Sequence, residues 1–383
     1  MQHIKLNILT ATLISALSIN AHADINVVTS VKPVHSLVSG VMKGVGKPDL
    51  IVQGSASPHT YSLKPSQAKK LEEADLVFWM GHELESFLEK PLEAIANNAK
   101  VVELIDTEGL KRIKMREGGA FDDHGHDDHD EHDEHDEHDE HDDHKDHDEH
   151  DEHDEHDDHK DHDEHDEHDD HKDHDEHDEH DDHKDHDEHD EHDDHKDHDE
   201  HEGHDDHGHG EFDVHVWLDP ENAKVLVNEI KHELIELDPS NSATYQENAE
   251  ALIVKLDQLI ADVSVKLASE KDKGFVVFHD AYQYFEERFG MRAVGSITVS
   301  PEVLPGANRI RELQEKIVEL NAHCVFSEPQ FEPKLVSTVI EGTQANTGVL
   351  DPLGASIQDG PELYFTLIHN MANSLYECLS LRG

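Results

Sequence analysis

The sequence predicts an α/β protein of two (βα)-type lobes with parallel sheets, joined by one long rigid helix and carrying a disordered insertion rich in His, Asp and Glu. Three observations lead to this prediction. Short apolar segments alternate with amphipathic helical segments on both sides of the middle of the chain, which is the order of parallel βαβ units. One segment keeps the helical period over about 30 residues. Residues 122–210 contain no apolar residue at all.

The first 23 residues have the composition of a secretory signal peptide. Lys5 is their only charged side chain, residues 8–19 form an apolar run, and residues 21–23 (Ala-His-Ala) supply a cleavage site. The run is shorter than the roughly 20 apolar residues that span a bilayer. Both cysteines lie far beyond the cleavage site, so that no thiol is available there for a lipid anchor. We therefore expect a periplasmic chain that is cleaved and not lipid-anchored.

Residues 122–210 form a tract of low complexity. They hold 50 acidic residues, 5 lysines and 30 histidines, with a histidine at every third position from His129 to His207. The tract thus accounts for −45 of the formal net charge of −60, and the remaining chain lacks the basic face that nucleic-acid binding needs. Because the tract has no apolar surface to bury, we expect a disordered loop. Imidazoles three residues apart, beside carboxylates, are suited to share metal ions, and a solvated polyelectrolyte without a metal role is the alternative.

The remaining patterns give the domain boundaries. The first lobe occupies residues 24–238, with the tract inside it, and the second lobe occupies residues 272–383. Between them, residues 239–271 place apolar side chains at steps of three and four, which predicts a stiff helix about 45 Å long. The strand candidates are short apolar segments at residues 25–28, 50–52, 76–80 and 101–104 in the first lobe, and at residues 275–278, 294–299 and 324–327 in the second.

Eight histidines lie outside the signal peptide and the tract, and three of them lie beside predicted strands. His59 follows the strand at 50–52, His279 follows the strand at 275–278, and His215 lies between a predicted strand and a capped helix. Ligands of open α/β sheets bind at the carboxyl ends of the strands. Three neutral imidazoles suit Zn²⁺, whereas manganese or calcium would call for more carboxylate. The alternative is that each histidine is a separate hydrogen-bonded loop residue, and we expect the other five to be solvated or core residues.

Five motifs and the tract carry a resemblance to a known family. In chain order the motifs are His59-Thr60-Tyr61, His215-Val216-Trp217-Leu218-Asp219-Pro220, Phe278-His279-Asp280-Ala281-Tyr282, Ser327-Glu328-Pro329-Gln330-Phe331 and Leu350-Asp351-Pro352-Leu353-Gly354. Together with an acidic, His-rich insertion between the first two, they closely resemble the zinc-specific periplasmic solute-binding proteins of ABC importers (the metal-binding cluster A-I family). The resemblance covers nearly all of the mature chain. It implies two lobes that hinge little, because a long helix spans both, and a metal bound in the cleft between them.

The resemblance also implies a ligand set. His59 and His215 from the first lobe and His279 from the second would bind Zn²⁺. The manganese-binding relatives place a carboxylate where this chain has His279, which favours zinc. Some zinc-binding members have a glutamate directly before the first histidine, where this chain has Pro58. The fourth ligand is therefore either a water molecule or Asp351, which matches an aspartate that ligates metal in relatives.

The two cysteines, Cys324 and Cys378, are expected to form a disulfide. An even pair in an oxidising compartment usually bonds, and zinc-binding members of the family place a disulfide at these positions. A thiol zinc site is the rival interpretation, and it would need further cysteines at suitable spacing.

The expected function is therefore transport and not catalysis. The chain would be a monomer that captures Zn²⁺ as its cargo, with the His-rich tract as a low-affinity zinc collector or sensor. Its expected partners are the membrane permease of a zinc ABC transporter and a periplasmic zinc chaperone. The alternatives are a manganese-specific member of the same family, a zinc hydrolase and a pure metal buffer. A hydrolase would also use three histidines and an open water position, but the chain has no His-Glu-x-x-His motif.

Overall fold

The computed structural model describes residues 25–116, 121, 211–298, 305–331 and 334–381. The predicted signal peptide (1–23) and the His-rich tract (122–210) lie outside the described residues. The residues described here belong to one compact unit, which contains two four-stranded parallel sheets. The predicted fold class of two parallel-sheet lobes is confirmed. No helix in these ranges is both long enough and apolar enough to cross a membrane.

The first sheet has the strand order β2-β1-β3-β4. Its strands are β1 (Val27–Thr29), β2 (Asp49–Leu50), β3 (Leu76–Trp79) and β4 (Lys100–Glu103). Its helices are α1 (Lys32–Val41), α2 (Pro65–Glu72), α3 (Ser86–Ile95) and α4 (Pro220–Leu237). The capped helix predicted after His215 is α4: the Asp219 carboxylate accepts a hydrogen bond from the backbone N–H of Glu221 at 2.9 Å, and Pro220 occupies the first turn.

A single long helix, α5 (Ser242–Leu267), connects the two sheets. Its buried side chains recur every three or four residues and form one apolar stripe: Tyr245, Ala249, Leu252, Leu256, Leu259, Val263 and Leu267. The helix packs against α1 and α4 of the first half and against α9 (Leu363–Leu379) of the second. One hydrophobic core consequently runs through both halves along α5. The predicted long helix is present, while the domain boundaries stay a prediction.

The second sheet repeats the arrangement of the first, with the order β6-β5-β7-β8. Its strands are β5 (Gly274–Val277), β6 (Arg292–Ser296), β7 (Cys324–Ser327) and β8 (Asn346–Val349), and its other helices are α6 (Gln283–Phe289), α7 (Ala307–Glu319) and α8 (Lys334–Ile340). Strand β8 and helix α8 were not predicted from the sequence. The predicted disulfide between Cys324 and Cys378 is present and ties the start of β7 to α9.

The repeated strand order fixes where ligands should bind. In each sheet the second strand lies on one side of the first, and the third and fourth strands lie on the other side. The chain therefore reverses its direction of growth between the first and third strands. In the second sheet these are β5 and β7, which pair directly. Crevices at the carboxyl ends of such strands are the usual ligand sites of open α/β sheets.

Candidate metal centre

Three imidazole rings meet in a cleft between the two halves. His59 lies in the 3₁₀ turn Pro58–Thr60 after β2, and His279 lies just beyond β5. One ring nitrogen each of His59, His215 and His279 lies within 4.8 Å of the other two. The ring centroids are 5.6 Å apart for His59 and His215, 5.9 Å for His59 and His279, and 5.3 Å for His215 and His279. The structure thus brings together the three histidines that the sequence analysis selected.

His215 reaches the cleft in a way that the sequence analysis did not foresee. The prediction that a strand precedes it is wrong for the described residues, because the segment forms only an isolated bridge between Lys114 and Phe212. The segment pairs with the chain that leads towards the tract and not with a sheet. Trp217 packs its indole 5.2 Å from the ring of His215 and donates a hydrogen bond to the carbonyl of Pro352 at 2.9 Å. Trp217 therefore packs against His215 and ties its loop to the turn after β8.

Two buried carboxylates contact two of the three imidazoles. Asp213 Oδ1 lies 2.7 Å from His215 Nδ1, and Glu328 Oε1 lies 2.7 Å from His279 Nδ1. A carboxylate beside Nδ1 keeps the proton on that nitrogen, so that Nε2 presents a lone pair. The Nε2 atoms of His59 and His279 are buried and have no hydrogen-bond partner within the described ranges. These are the atoms that a metal ion would engage.

The sequence analysis missed both carboxylates as site residues. Asp213 stands only two positions before His215, which is a usable local signal. Glu328 follows β7 directly, and β7 is the neighbour of the strand that precedes His279. The topology of the sheet, rather than the spacing in the sequence, brings Glu328 to His279.

The three imidazoles surround a very small cavity. Its volume is about 10 Å³, measured as the space open to the centre of a water molecule. That is enough for about one water-sized particle. The lining comes from both halves: Ser57, Pro58, His59, Leu84, His215 and Trp217 from the first, and His279, Glu328, Gln330, Phe331, Pro352 and Leu353 from the second. The donor set and the space therefore fit a single metal ion.

The electrostatics of the cleft favour a cation that replaces protons. Burial, together with the neighbouring His215 and His279, lowers the pKa of His59 to about 2. Burial also lowers the pKa of His279, but the Glu328 carboxylate outweighs it and the net effect is a raised pKa. The cleft therefore keeps His59 neutral, and the Glu328 carboxylate offsets positive charge brought to His279. Such a group of nitrogen donors is suited to a borderline divalent cation.

Asp351 has another set of contacts. Its Oδ1 accepts hydrogen bonds from the backbone N–H groups of Leu353 at 3.1 Å and Gly354 at 2.9 Å, and from Gln330 Nε2 at 3.0 Å. Its Oδ2 accepts one from the backbone N–H of Ala355 at 2.6 Å. The carboxylate organises the turn after β8. It is not part of the three-histidine group found in the described ranges, and its role as a fourth ligand stays a prediction.

The fold and the cleft define a class: a two-lobed α/β protein of the periplasmic binding type, with three clustered histidines in the cleft between its halves. The chain belongs to the family whose model is described as "Zinc-uptake complex component A periplasmic", which matches residues 27–378. The high-affinity zinc uptake system protein ZnuA of Brucella suis biovar 1 (strain 1330) is 52% identical over 354 residues, covering 92% of this chain and 91% of the relative. The protein of the same name from Haemophilus influenzae (strain ATCC 51907 / DSM 11121 / KW20 / Rd) is 39% identical over 379 residues, covering 98% of both chains.

Solved structures share the fold at lower sequence identity. A crystal structure of ZnuA superposes with a TM-score of 0.61 at 20% identity, covering 92% of this chain and 100% of that one. A zinc-bound deletion mutant of ZnuA gives a TM-score of 0.63 at 19% identity, covering 94% and 100%. A manganese-bound periplasmic metal binding protein from Candidatus Liberibacter asiaticus gives 0.61 at 17% identity, covering 93% and 99%. The fold is thus shared by proteins solved with different metals.

Proposed function

We propose that this chain is the periplasmic zinc-binding component of an ABC-type importer, which captures Zn²⁺ in the cleft and delivers it to the membrane permease. Relatives at 52% and 39% identity carry the name of a high-affinity zinc uptake system protein. The observation that carries the proposal is the convergence of three imidazoles from both halves on a space for one particle, with two of their Nε2 atoms buried and unpartnered in the described structure.

In this proposal His59, His215 and His279 are the zinc ligands. Zinc accepts imidazole nitrogens at about 2.0–2.1 Å in a four-coordinate shell. Asp213 and Glu328 keep two of the rings in the correct tautomer and orientation. The fourth position belongs to Asp351 or to a water molecule, and the hydrogen bonds that Asp351 already accepts favour water.

The same geometry weighs against the alternatives. A manganese site would call for carboxylate oxygens as direct ligands, whereas the clustered donor atoms here are three imidazole nitrogens. A zinc hydrolase needs room for a substrate beside the ion, and small-molecule sites have volumes of roughly 300–1,000 Å³. The cavity of about 10 Å³ leaves no such room. A transported ion needs none.

The remaining parts of the proposal concern the residues outside the described ranges and the partners. Residues 1–23 would direct export and be removed, which leaves a monomeric periplasmic protein. The tract at 122–210 would collect zinc weakly and supply it to the cleft. A periplasmic zinc chaperone would be a further partner beside the permease.

Replacing single histidines tests the assignment. His59→Ala, His215→Ala and His279→Ala should each weaken the tight zinc site more than tenfold, because each removes one of at most four ligands. Competition with a strong chelator isolates that site from the weaker sites of the tract. His232→Ala on α4 is the matched control, since His232 is exposed, and it should keep full affinity. If a cleft variant also kept full affinity, the histidine that it lacks would not be a zinc ligand.

A further inference from the structure

A second group of metal-ligand side chains lies outside the three-histidine centre. His82, Glu83 and Glu103 each offer one ligand atom, and these atoms lie within 4.8 Å of one another. His82 Nε2 is 3.2 Å from Glu83 Oε1, and His82 Nδ1 is 3.5 Å from Glu103 Oε1. The three side chains are 29%, 25% and 30% exposed, so that an ion can reach them from solvent while their own hydration is incomplete.

The sheet and the turn after β3 place this group. Strands β3 and β4 pair side by side, and Trp79 at the end of one is the register partner of Glu103 at the end of the other. His82 and Glu83 lie in the turn that follows β3. Gly81 in that turn has a φ of +149°, and a Cβ there would lie only 2.7 Å from Glu103 Oε1. The glycine is therefore what allows the Glu103 carboxylate to approach the backbone N–H of His82, at 3.3 Å.

A cavity of about 430 Å³ adjoins this group. His82, Glu103 and Trp79 line it, together with two further carboxylates from α3, Glu89 and Glu93. Trp79 is only 6% exposed, and its buried Nε1–H has no hydrogen-bond partner among the residues described. The cavity thus has a negative field, which attracts cations, and beside it lies a buried donor without a partner in the described part of the chain.

We propose that His82, Glu83 and Glu103 form a second divalent-cation site on the first lobe, for a partly hydrated ion of the Zn²⁺ class. One ring nitrogen of His82 and one oxygen of each carboxylate supply three ligands, all within 4.8 Å of one another. Two donor atoms that share an ion at about 2.1 Å are about 3.0–3.4 Å apart, which is close to the 3.2 Å between His82 Nε2 and Glu83 Oε1. The Glu103 oxygen, which lies 3.5 Å from the other ring nitrogen, Nδ1, must move closer to share that ion, and water completes the shell. The larger space and mixed donors make this site weaker than the cleft, and it goes beyond the proposed transport function.

A second group of one histidine and two glutamates has a lysine beside its carboxylates. His232, Glu233 and Glu236 also bring three ligand atoms together. There, Lys100 Nζ lies 2.5 Å from a Glu233 oxygen and 2.7 Å from a Glu236 oxygen. The lysine ammonium already supplies the positive charge, so that this group provides a matched control with the same residue types.

Fluorescence of Trp79 can test the site in the full chain. The protein has two tryptophans, so that Trp217→Phe leaves Trp79, in the wall of the proposed site, as the only reporter. After the cleft is filled with one equivalent of Zn²⁺, Co²⁺ should quench Trp79 in a saturable manner. His82→Ala and Glu103→Gln should each weaken this Co²⁺ binding at least tenfold, whereas His232→Ala should leave it unchanged. Quenching that never saturates, or that persists in both His82→Ala and Glu103→Gln, would overturn the proposal.

Diffraction at the zinc edge gives a second measurement that needs no substitution. Crystals of the full chain in excess Zn²⁺ should show an anomalous peak beside His82, Glu83 and Glu103 in addition to the peak in the cleft. A cleft peak without a peak at His82 would refute the second site and leave the proposed transport function intact. Absence of the cleft peak would instead count against the transport proposal, which keeps the two failures distinguishable.

Discussion

The carboxylates beside His215 and His279 fix the orientation of two imidazole rings in the cleft. Asp213 is itself held by the second half of the molecule, because Gln283 Nε2 donates to its Oδ2 at 3.2 Å. The hydroxyl of Tyr284 also donates to the Asp213 carbonyl at 2.7 Å. The orientation of His215, which belongs to the first half, therefore depends partly on the second half. Such outer partners are typically worth a factor of 10–100 in metal affinity.

Asp213→Asn should accordingly weaken zinc binding by about 10- to 100-fold without unfolding the protein. The amide loses the negative charge that stabilises the Nδ1–H of His215 and offsets the charge of the bound ion. Chelator competition measures the affinity, and thermal unfolding of the metal-free protein reports on folding. Asp257→Asn, at an exposed carboxylate on α5 that pairs with Lys224, is the control and should change neither quantity. An unchanged affinity for Asp213→Asn would show that the carboxylate does not tune His215.

At the element scale, the turn between β3 and α3 depends on a buried acid. Glu85 is fully buried, and its carboxyl oxygens accept hydrogen bonds from the backbone N–H groups of Met80 at 3.2 Å and Gly81 at 3.0 Å. Burial raises the pKa of Glu85 to about 7 from its ordinary value of 4.5. The folded protein therefore holds a proton here at pH values where the unfolded chain has released it.

Because of this raised pKa, the free energy of unfolding decreases as the pH rises. The stability that Glu85 contributes is fully present below about pH 4.5 and is lost as the pH rises to about 7, by about 3 kcal/mol. Glu85→Gln removes this titration, so that its free energy of unfolding should fall less between pH 5 and pH 8 than that of the parent chain. Urea unfolding of the metal-free proteins at both pH values measures the difference. Glu362→Gln, at an exposed carboxylate paired with Lys255, should keep the parental pH dependence, and the same dependence in Glu85→Gln would contradict the assignment.

Elements with a continuous buried pattern could be predicted from the sequence, and α5 shows why. Its apolar stripe is buried along the whole length of the helix, so that the spacing of apolar residues in the sequence directly reflects the packing. Strand β8 could not be found in this way, because its residues alternate between half-buried and exposed at the edge of the sheet. Glycine is required at position 348, because a Cβ there would clash with the ring of Phe326. That contact joins distant parts of the chain and leaves no local signal.

The residues of the candidate metal centre likewise differ in whether local or distant signals reveal them. The three histidines could be selected because each stands in a loop with a recognisable motif. The contact of Glu328 with His279 spans 49 positions and depends on the pairing of β5 with β7. The strand predicted before His215 is absent from the described residues, because a short apolar segment can form either a sheet strand or an isolated bridge.

At the scale of the whole molecule, the two halves are held by more than α5. The hydroxyl of Tyr364 in α9 donates to the carbonyl of Trp217 at 2.6 Å, and Trp217 donates in turn to the carbonyl of Pro352. Arg288 binds both carboxylate oxygens of Asp219, at 2.6 Å and 2.7 Å. These contacts and the shared core limit how far the halves can separate. We therefore expect zinc to be bound with small local adjustments rather than by a wide hinge motion.

Deleting residues 122–210 should separate the tract from the cleft in function. Imidazole has an unperturbed pKa of about 6.5, and dense carboxylates favour its protonated form, so that tract sites should release zinc as the pH falls from about 7.5 to about 6. The deleted protein should lose these weaker, pH-sensitive events and keep the tight one, with growth impaired mainly when zinc is very scarce. Calorimetry on both proteins at both pH values measures this. Loss of the tight event on deletion would assign the primary site to the tract.

The volume of the cavity between the three histidines has a consequence for how ions are told apart. A space of about 10 Å³ admits one water-sized particle, so that an ion cannot bring its full hydration shell with it. If the three imidazoles bind the ion, each must displace water from it. Mg²⁺ dehydrates reluctantly and prefers oxygen ligands, so we expect the cleft to exclude it at this step. Discrimination therefore occurs while the ion is being dehydrated, and unloading at the membrane requires that the ion be given oxygen or nitrogen ligands again as it leaves.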